Sequence, residues 1–375
     1  MKFLKIITLN FLLLISIIGS LVFLMVIVSE ALRFTKSKFL YKNIECIRAS
    51  CNEAYENISW AKEHFKEYGE ISFHYETPVV WRADSFKGNT INILKDNFTR
   101  KTLSENKIPD NAKIAYFFGG SVVWGFGSND ENTIASHFQN ISGFKTFNYG
   151  ESAWTSDQSL MYLIKTIKQG HKPDYVIFIN GINDGLKCYN KNKDEFGLLK
   201  EDELIITLGE TIRSKSNVTF QNFFSIPVEL IGRLKSLFKT NVSKTDLGLK
   251  SDCMKSNYHK KIMQNLSNNW KIANNLVQNN NGKFFAIIEP QLAFTDTKID
   301  ERIDFKIDSD STKENIEMYS HLKIITKDLD YVYDYSSIYN GINDYIFIDS
   351  GSHVTPFGNK FLAETIYNEI IKGKF

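Results

Sequence analysis

Three short stretches of the chain carry side chains that together could open an ester. They are a serine in "FFGGSVVWGFG" (Ser121), an asparagine and an aspartate in "NGIND" (Asn183, Asp184), and an aspartate and a histidine in "IDSGSH" (Asp349, His353). A serine hydroxyl is a weak nucleophile near neutral pH and needs a base for its proton. An imidazole serves best when a carboxylate holds its other nitrogen. Ser121 is the candidate nucleophile, because two preceding glycines let the backbone turn from strand to helix and leave its hydroxyl and amide facing outward. His353 is the candidate base: Thr355 and Pro356 supply an N-cap and a first helical position for "PFGNKFLAETIYNEIIKG", so the histidine falls in the loop ahead of the last helix. Asp349, four residues earlier, is the nearest carboxylate.

Such groups act only if the fold brings them to one place. From Lys113 onward, short apolar runs ("KIAYFFGG", "KTFNYG", "YVIFIN", "FFAIIEP", "YVYDYS") alternate with amphipathic stretches such as "ENTIASHFQN", "SDQSLMYLIKTIKQG" and "IMQNLSNNWKIANNLVQ". Strands alternating with helices imply right-handed crossovers and a mostly parallel sheet covered on both faces, an α/β layered domain. Ligands of such sheets bind at the carboxyl ends of the strands. Ser121 follows "IAYFFGG", Gly150 follows "TFNY", Asn183 and Asp184 follow "YVIFIN", and Asp349 and His353 follow the apolar "YIFI". All four loops are therefore expected on one edge. The tetrapeptide Gly-Ile-Asn-Asp occurs twice, at 181–184 and 341–344. Only the first copy follows a buried strand; the second precedes "YIFI" and is expected to be a turn.

"GGSVVWG", "NYGES", "NGIND" and "DSGSHVTPFGN" resemble, in that order, blocks I, II, III and V of the SGNH (GDSL-type) hydrolases. The resemblance spans Lys113 to Phe375 apart from an insertion, and is nearest to membrane-anchored bacterial members. It implies a three-layer α/β/α, flavodoxin-like fold with Ser121 as nucleophile and His353 as general base. The oxyanion hole would be formed by the amides of Ser121 and Gly150 with the side-chain amide of Asn183. Neither cofactor nor metal is implied. The implied activity is a serine esterase working through an acyl-enzyme and removing O-acetyl or other short acyl esters from a bacterial surface carbohydrate. An O-acyltransferase using the same chemistry, and a non-catalytic carbohydrate-binding or assembly protein, are the alternatives. Two departures stand out. Position 120 is Gly where many members have Asp, and the family's Asp-x-x-His is lengthened to Asp349-Ser-Gly-Ser-His353. Either Gly351 lets the loop bulge and return Asp349 to the ring, or the site is a Ser–His dyad.

The rest of the chain sets the context. Forty-five Lys and Arg nearly cancel forty-three Asp and Glu, without a basic aromatic patch, which excludes a nucleic-acid binder. Residues 6–28 carry no charge and are long enough to cross a bilayer. A single-pass anchor (1–39), a connector and N-terminal extension (40–110) and a hydrolase domain (111–375) with an insertion at about 187–256 are expected. Within the insertion, Phe224, Val228, Ile231, Leu234 and Phe238 fall near helical spacing, as in a cap helix or one lying on a membrane surface. Basic residues flank the anchor on both sides, so charge leaves its orientation open; a surface substrate places the domain outside the cytoplasm. The four cysteines lack zinc spacing. In an exported domain Cys46 would pair with Cys51 and Cys188 with Cys253; free buried thiols are the other reading. Asp184 reads as a turn or support residue, Glu151 and Asp157 as solvated or capping, and His137 and His321 as surface or satisfied core residues.

Overall fold

The computed structural model describes residues 46–190, 195–199 and 252–373, with six isolated positions before them. The chain divides into two compact units, one of Met1–Glu45 with Glu203–Lys250 and one of Cys46–Asp202 with Ser251–Phe375. The expected anchor, the helix near 224–238 and most of the insertion lie outside the described residues. Among the described residues no helix is long and apolar enough to cross a membrane.

The second unit is built on five parallel strands. Four short strands precede them: β1 (Phe73–Glu76) pairs antiparallel with β2 (Val80–Ala83), and β3 (Phe86–Lys87) with β4 (Asn92–Ile93). Then come β5 (Ile114–Gly119), β6 (Lys145–Asn148), β7 (Tyr175–Asn180), β8 (Lys283–Ile288) and β9 (Val332–Asp334), in the sheet order β6-β5-β7-β8-β9. Every pairing among these five is parallel. Helices on both faces explain why the central strands are continuously apolar. Phe117, Ile177 and Ile287 bury against the helices Ile134–Ser142 and Pro356–Thr365. Phe118, Phe178 and Ala286 face the other way, toward Ser156–Lys168, Tyr258–Asn279 and Asp310–Thr326. Truncating Phe178, which is 0% exposed, to alanine would cost about 3–5 kcal/mol. The sheet order reverses direction between β5 and β7, and at such a switch point the loops diverge and leave a crevice.

One expectation needs correction. "YIFI" is not a strand of the sheet, since β9 takes the edge. Ile346, Phe347 and Ile348 are buried, but they pair with the chain that follows: Thr355 N–H donates to Ile346 O (2.8 Å) and Ile348 N–H to His353 O (3.0 Å). The segment expected as a connector is, from Cys46 onward, part of the same compact unit as the sheet. Ile47, Tyr55, Ala61 and Phe65 bury with Ile348, and Ala83, Ile91 and Ile93 bury with Trp124. Arg100, 2% exposed, donates to Gly125 O (2.7 Å), Trp124 O (3.1 Å) and Asp130 Oδ1 (3.1 Å). These contacts hold the loop just after Ser121.

Candidate active site

Ser121 opens a single helical turn, Ser121–Trp124, directly after β5. Its amide is the first of that turn and has no acceptor within it. The glycines before it are needed for space rather than for an unusual backbone. Gly120 has an ordinary extended conformation (φ −81°, ψ −155°). A Cβ at Gly119 would run into Ile179 O and Val123, and one at Gly120 into the side-chain nitrogen of Asn183, with Trp154 O 3.3 Å away. The absence of a side chain at 120 is what lets Asn183 approach the serine turn.

Ser121 and His353, 232 positions apart, meet at 2.6 Å between Oγ and Nε2. His353 Nδ1 meets Asp349 Oδ2 in a close hydrogen bond. The extra residue of the Asp349–His353 loop is absorbed by the fold-back closed by Ile348 N–H and His353 O, with Phe347 bridging Val354. Gly351 has no positive φ; its N–H donates to Asp349 Oδ1 (2.9 Å), turning the carboxylate toward the ring. Burial works against charge on Asp349, but the neighbouring His353 and the hydrogen bonds from His353 and Gly351 outweigh it and hold the carboxyl below its usual range. The side chain is 38% exposed, so water reaches it. The Phe126 ring packs on His353 with centroids 4.5 Å apart, limiting rotation of the imidazole.

The three expected oxyanion donors gather here in different states. Asn183 lies in the turn Ile182–Gly185 after β7, and its Nδ2 donates to Trp154 O at 2.9 Å, which leaves the second N–H of that amide. The Gly150 amide is engaged: it donates to Asn148 Oδ1 (3.0 Å), while Asn148 Nδ2 donates to Val123 O (2.8 Å). A hydroxyl on an imidazole backed by a carboxylate, with amide donors beside it, can attack a carbonyl carbon and stabilise the resulting oxyanion.

Several supporting acids are more deeply embedded than their sequence suggests. Glu151 is 1% exposed, accepting from Ala83 N–H and Ser152 N–H (both 2.9 Å) with buried Arg82 3.7 Å away, so it is neither solvated nor a cap. Asp157 pairs with Lys187, which is 0% exposed, and accepts from Asn265 Nδ2 (2.9 Å) and Asn269 Nδ2 (3.0 Å). Asp184 is buried and accepts from Ser156 Oγ (2.6 Å) and Ser156 N–H, a support role; burial pushes its carboxyl up to about 6. His137 and His321 are half-buried on helices. The second Gly-Ile-Asn-Asp is an exposed turn with Gly341 in the left-handed region (φ 78°).

Sequence reasoning missed Glu289, which emerges from β8 beside the Asn183 turn. Its Oε1 accepts from Ile182 N–H (3.0 Å) and Gln291 Nε2 (3.3 Å), and the side chain is 2% exposed. The signal was present, since a carboxyl directly after a buried strand sits on the same edge as Ser121 and Asn183. Both cysteine pairs are disulfides, Cys46–Cys51 and Cys188–Cys253, and the latter joins positions near the two ends of the expected insertion.

No protein-family model matches the chain, and no curated protein matches it. Among solved structures the fold is similar to a member of the lipolytic protein G-D-S-L family from Veillonella parvula, at 13% identity over 70% of this chain and 99% of that one, with a TM-score of 0.39. It is also similar to a GDSL-like lipase from Bacteroides thetaiotaomicron (15% identity, 72% and 93% covered, TM-score 0.37). A third similar structure is an acetyl xylan esterase (12% identity, 69% and 100% covered, TM-score 0.37).

Proposed function

We propose that this chain is a serine esterase that works through an acyl-enzyme. The observation that carries the proposal is the relay from Ser121 Oγ, 2.6 Å from His353 Nε2, to Asp349 on the opposite ring nitrogen. With Nδ1–H directed at Asp349, Nε2 is the basic nitrogen and takes the Ser121 proton as Oγ bonds to the ester carbonyl carbon. The oxyanion takes hydrogen bonds from the Ser121 amide and the second N–H of Asn183. Gly150 contributes by sharing its N–H away from Asn148. Collapse of the tetrahedral adduct breaks the bond to the alcohol oxygen, which leaves with the proton from His353. A water activated by the same imidazole then releases the acid and frees Ser121.

The substrate class, O-acetyl or other short acyl esters on a bacterial surface carbohydrate, rests on the block resemblance. A single-pass anchor at 6–28 with the catalytic unit outside the cytoplasm completes the proposal, and the two disulfides support an oxidising compartment. The test is hydrolysis of p-nitrophenyl acetate by the detergent-solubilised full chain. Ser121→Ala and His353→Ala should each lose several orders of magnitude in kcat. Hydrolysis by Ser121→Ala at the wild-type rate overturns the proposal. Acetylation of an added polysaccharide at the expense of hydrolysis would replace water by a sugar hydroxyl as the acceptor and overturn the esterase reading.

A further inference from the structure

Beneath the relay lies a dry polar layer that the chemistry above does not use. The parallel register of β7 and β8 runs through Asn180 opposite Ile288, so the next residues, Gly181 and Glu289, leave the sheet side by side. Glu289 N–H donates to Asn180 O (3.2 Å), and Glu289 Oε1 accepts the Ile182 amide at 3.0 Å, one residue before Asn183. On its other side, three residues further along the same chain, Leu292 N–H donates to Gly351 O (3.1 Å) in the His353 loop, and Ser352, the neighbour of His353, is 2% exposed. A third element seals the layer. Tyr319, from the helix Asp310–Thr326, puts its hydroxyl where a Cβ at Gly181 would be, and Asn315 of the same helix donates to Gln291 Oε1 at 3.0 Å.

We propose that Glu289 is a positioning residue of this site: a buried carboxyl that fixes the Asn183 turn to the strand end against which the His353 loop is held, and whose negative charge supports the imidazolium that His353 becomes. The proposal rests on the esterase reading above. The physical argument has two parts. Asn183 and His353 lie on loops far apart in the chain, and among the described residues no backbone hydrogen bond joins the two directly; the Glu289 carboxyl on the Ile182 amide, with the Leu292 amide on Gly351 O, sets the spacing between donor and base to within the tolerance catalysis needs. Asp349 is partly solvated, whereas Glu289 is 2% exposed, so its charge acts on His353 through a poorly screened path. The charged and titratable groups facing Glu289 are His353 on the loop, Asp184 on the turn and Tyr319 on the helix. Burial and the like charge of Asp184 raise the Glu289 carboxyl to about 7 against the pull of the Ile182 amide, His353 and Ser352. Such a group gains its charge in the range where a histidine base does its work.

The experiment uses the full chain and two readouts, p-nitrophenyl acetate hydrolysis and the rate of fluorophosphonate labelling of Ser121, each across pH 5–9. Glu289→Gln keeps the size and an acceptor for Ile182 but deletes the charge. It is expected to lower kcat and the labelling rate about tenfold, and to shift the acid limb of both profiles to lower pH, because an imidazolium without that charge loses its proton more readily. Its Tm should be equal to or above wild type, since a buried charge has been removed. Glu289→Ala, which also frees the Ile182 amide, should lower kcat further with little change in KM. Glu289→Gln profiles superimposable on wild type, in a chain whose Ser121 is labelled, overturn the role of Glu289 alone. A wild-type chain that is not labelled at Ser121 overturns the esterase reading and the role of Glu289 with it. Should Glu289→Gln fail to fold, Glu289→Asp, which keeps a carboxyl but withdraws it from the Ile182 amide, should lower kcat and the labelling rate with KM little changed; wild-type values there also overturn the proposal.

Discussion

Replacing Asp349 by asparagine and by alanine separates a triad from a dyad, and the structure orders the two effects. In Asp349→Asn, Gly351 N–H still finds Oδ1, its 2.9 Å acceptor, so the side-chain amide nitrogen is turned toward His353 Nδ1. Two donors cannot face each other, so the ring takes the tautomer with the proton on Nε2. That proton then points at Ser121 Oγ, 2.6 Å away, and the base has no lone pair to offer. Loss of the correct tautomer is worth about 10³–10⁴ in kcat, or about 4–5.5 kcal/mol at 1.36 kcal/mol per tenfold. Asp349→Ala removes the charge but imposes no tautomer. Because the Asp349 side chain is 38% exposed, water can occupy the gap and accept from Nδ1, so the loss should be smaller, about 10²–10³. Steady-state hydrolysis of p-nitrophenyl acetate gives both numbers, and circular dichroism checks that the loop change leaves the fold intact. Asparagine within tenfold of wild type would show that Asp349 does not set the tautomer. Equal losses in the two variants would show that charge alone, and not the ring tautomer, is what the carboxylate supplies.

Asn183→Ala should lower kcat by about 10²–10³ through loss of a preorganised oxyanion donor, while Asn343→Ala in the exposed second Gly-Ile-Asn-Asp leaves activity unchanged; equal losses would refute that assignment. Gly120→Ala places a methyl where Asn183 Nδ2 sits, so kcat should fall about 10²-fold with Tm nearly constant; full activity would mean that the Asn183 amide is not needed where it lies. Glu67 accepts from the amides of Asn89 (2.7 Å), Thr90 (3.0 Å) and Ile91 (3.0 Å) and from the Thr90 hydroxyl (2.6 Å), and Glu67→Ala should cost about 3–5 kcal/mol in thermal or denaturant unfolding. Burial opposes its charge, but those bonds outweigh it and hold the carboxyl below its usual range, so its contribution is complete above the unfolded pKa of about 4.3 and disappears as pH falls through the folded value. The stability gap between wild type and Glu67→Gln should therefore narrow on acidification; a gap that widens would reverse the sign of the argument.

The layered sheet was legible because both of its faces are covered, so each central strand is a run of apolar residues that ends abruptly in the residue at the crevice. Ser121, Asn183 and His353 were readable for that reason, as polar residues directly after such runs or just ahead of a capped helix. "YIFI" misled because periodicity records burial but not pairing partner, and its backbone is taken by 353–355 instead of the sheet. Glu151, on a loop, and Asp157, in the first turn of the helix Ser156–Lys168, misled because a carboxylate in either place looks solvated until its cation is known. The groups that bury them, Arg82 and Lys187, come from distant segments. Glu289 escaped notice because Glu-Pro after "FFAII" reads as the end of a strand rather than as part of a site. Asp349 was legible as a candidate, but whether a five-residue spacing returns it to the ring depended on a fold-back that no local pattern announces.

The long reach of the Ser121–His353 contact has a consequence for how the protein is made. The base comes 232 positions after the serine, and the segment around Asn52 waits for the same loop: Asn52 Nδ2 donates to Ile348 O across 296 positions. During synthesis the serine therefore emerges long before its base, and the early part of the chain cannot complete its packing until the last loop arrives. A nascent or truncated polypeptide carries a nucleophile that is chemically an ordinary serine. The relay can form only once the loop of His353 has packed, so a copy that lacks that loop lacks the base as well.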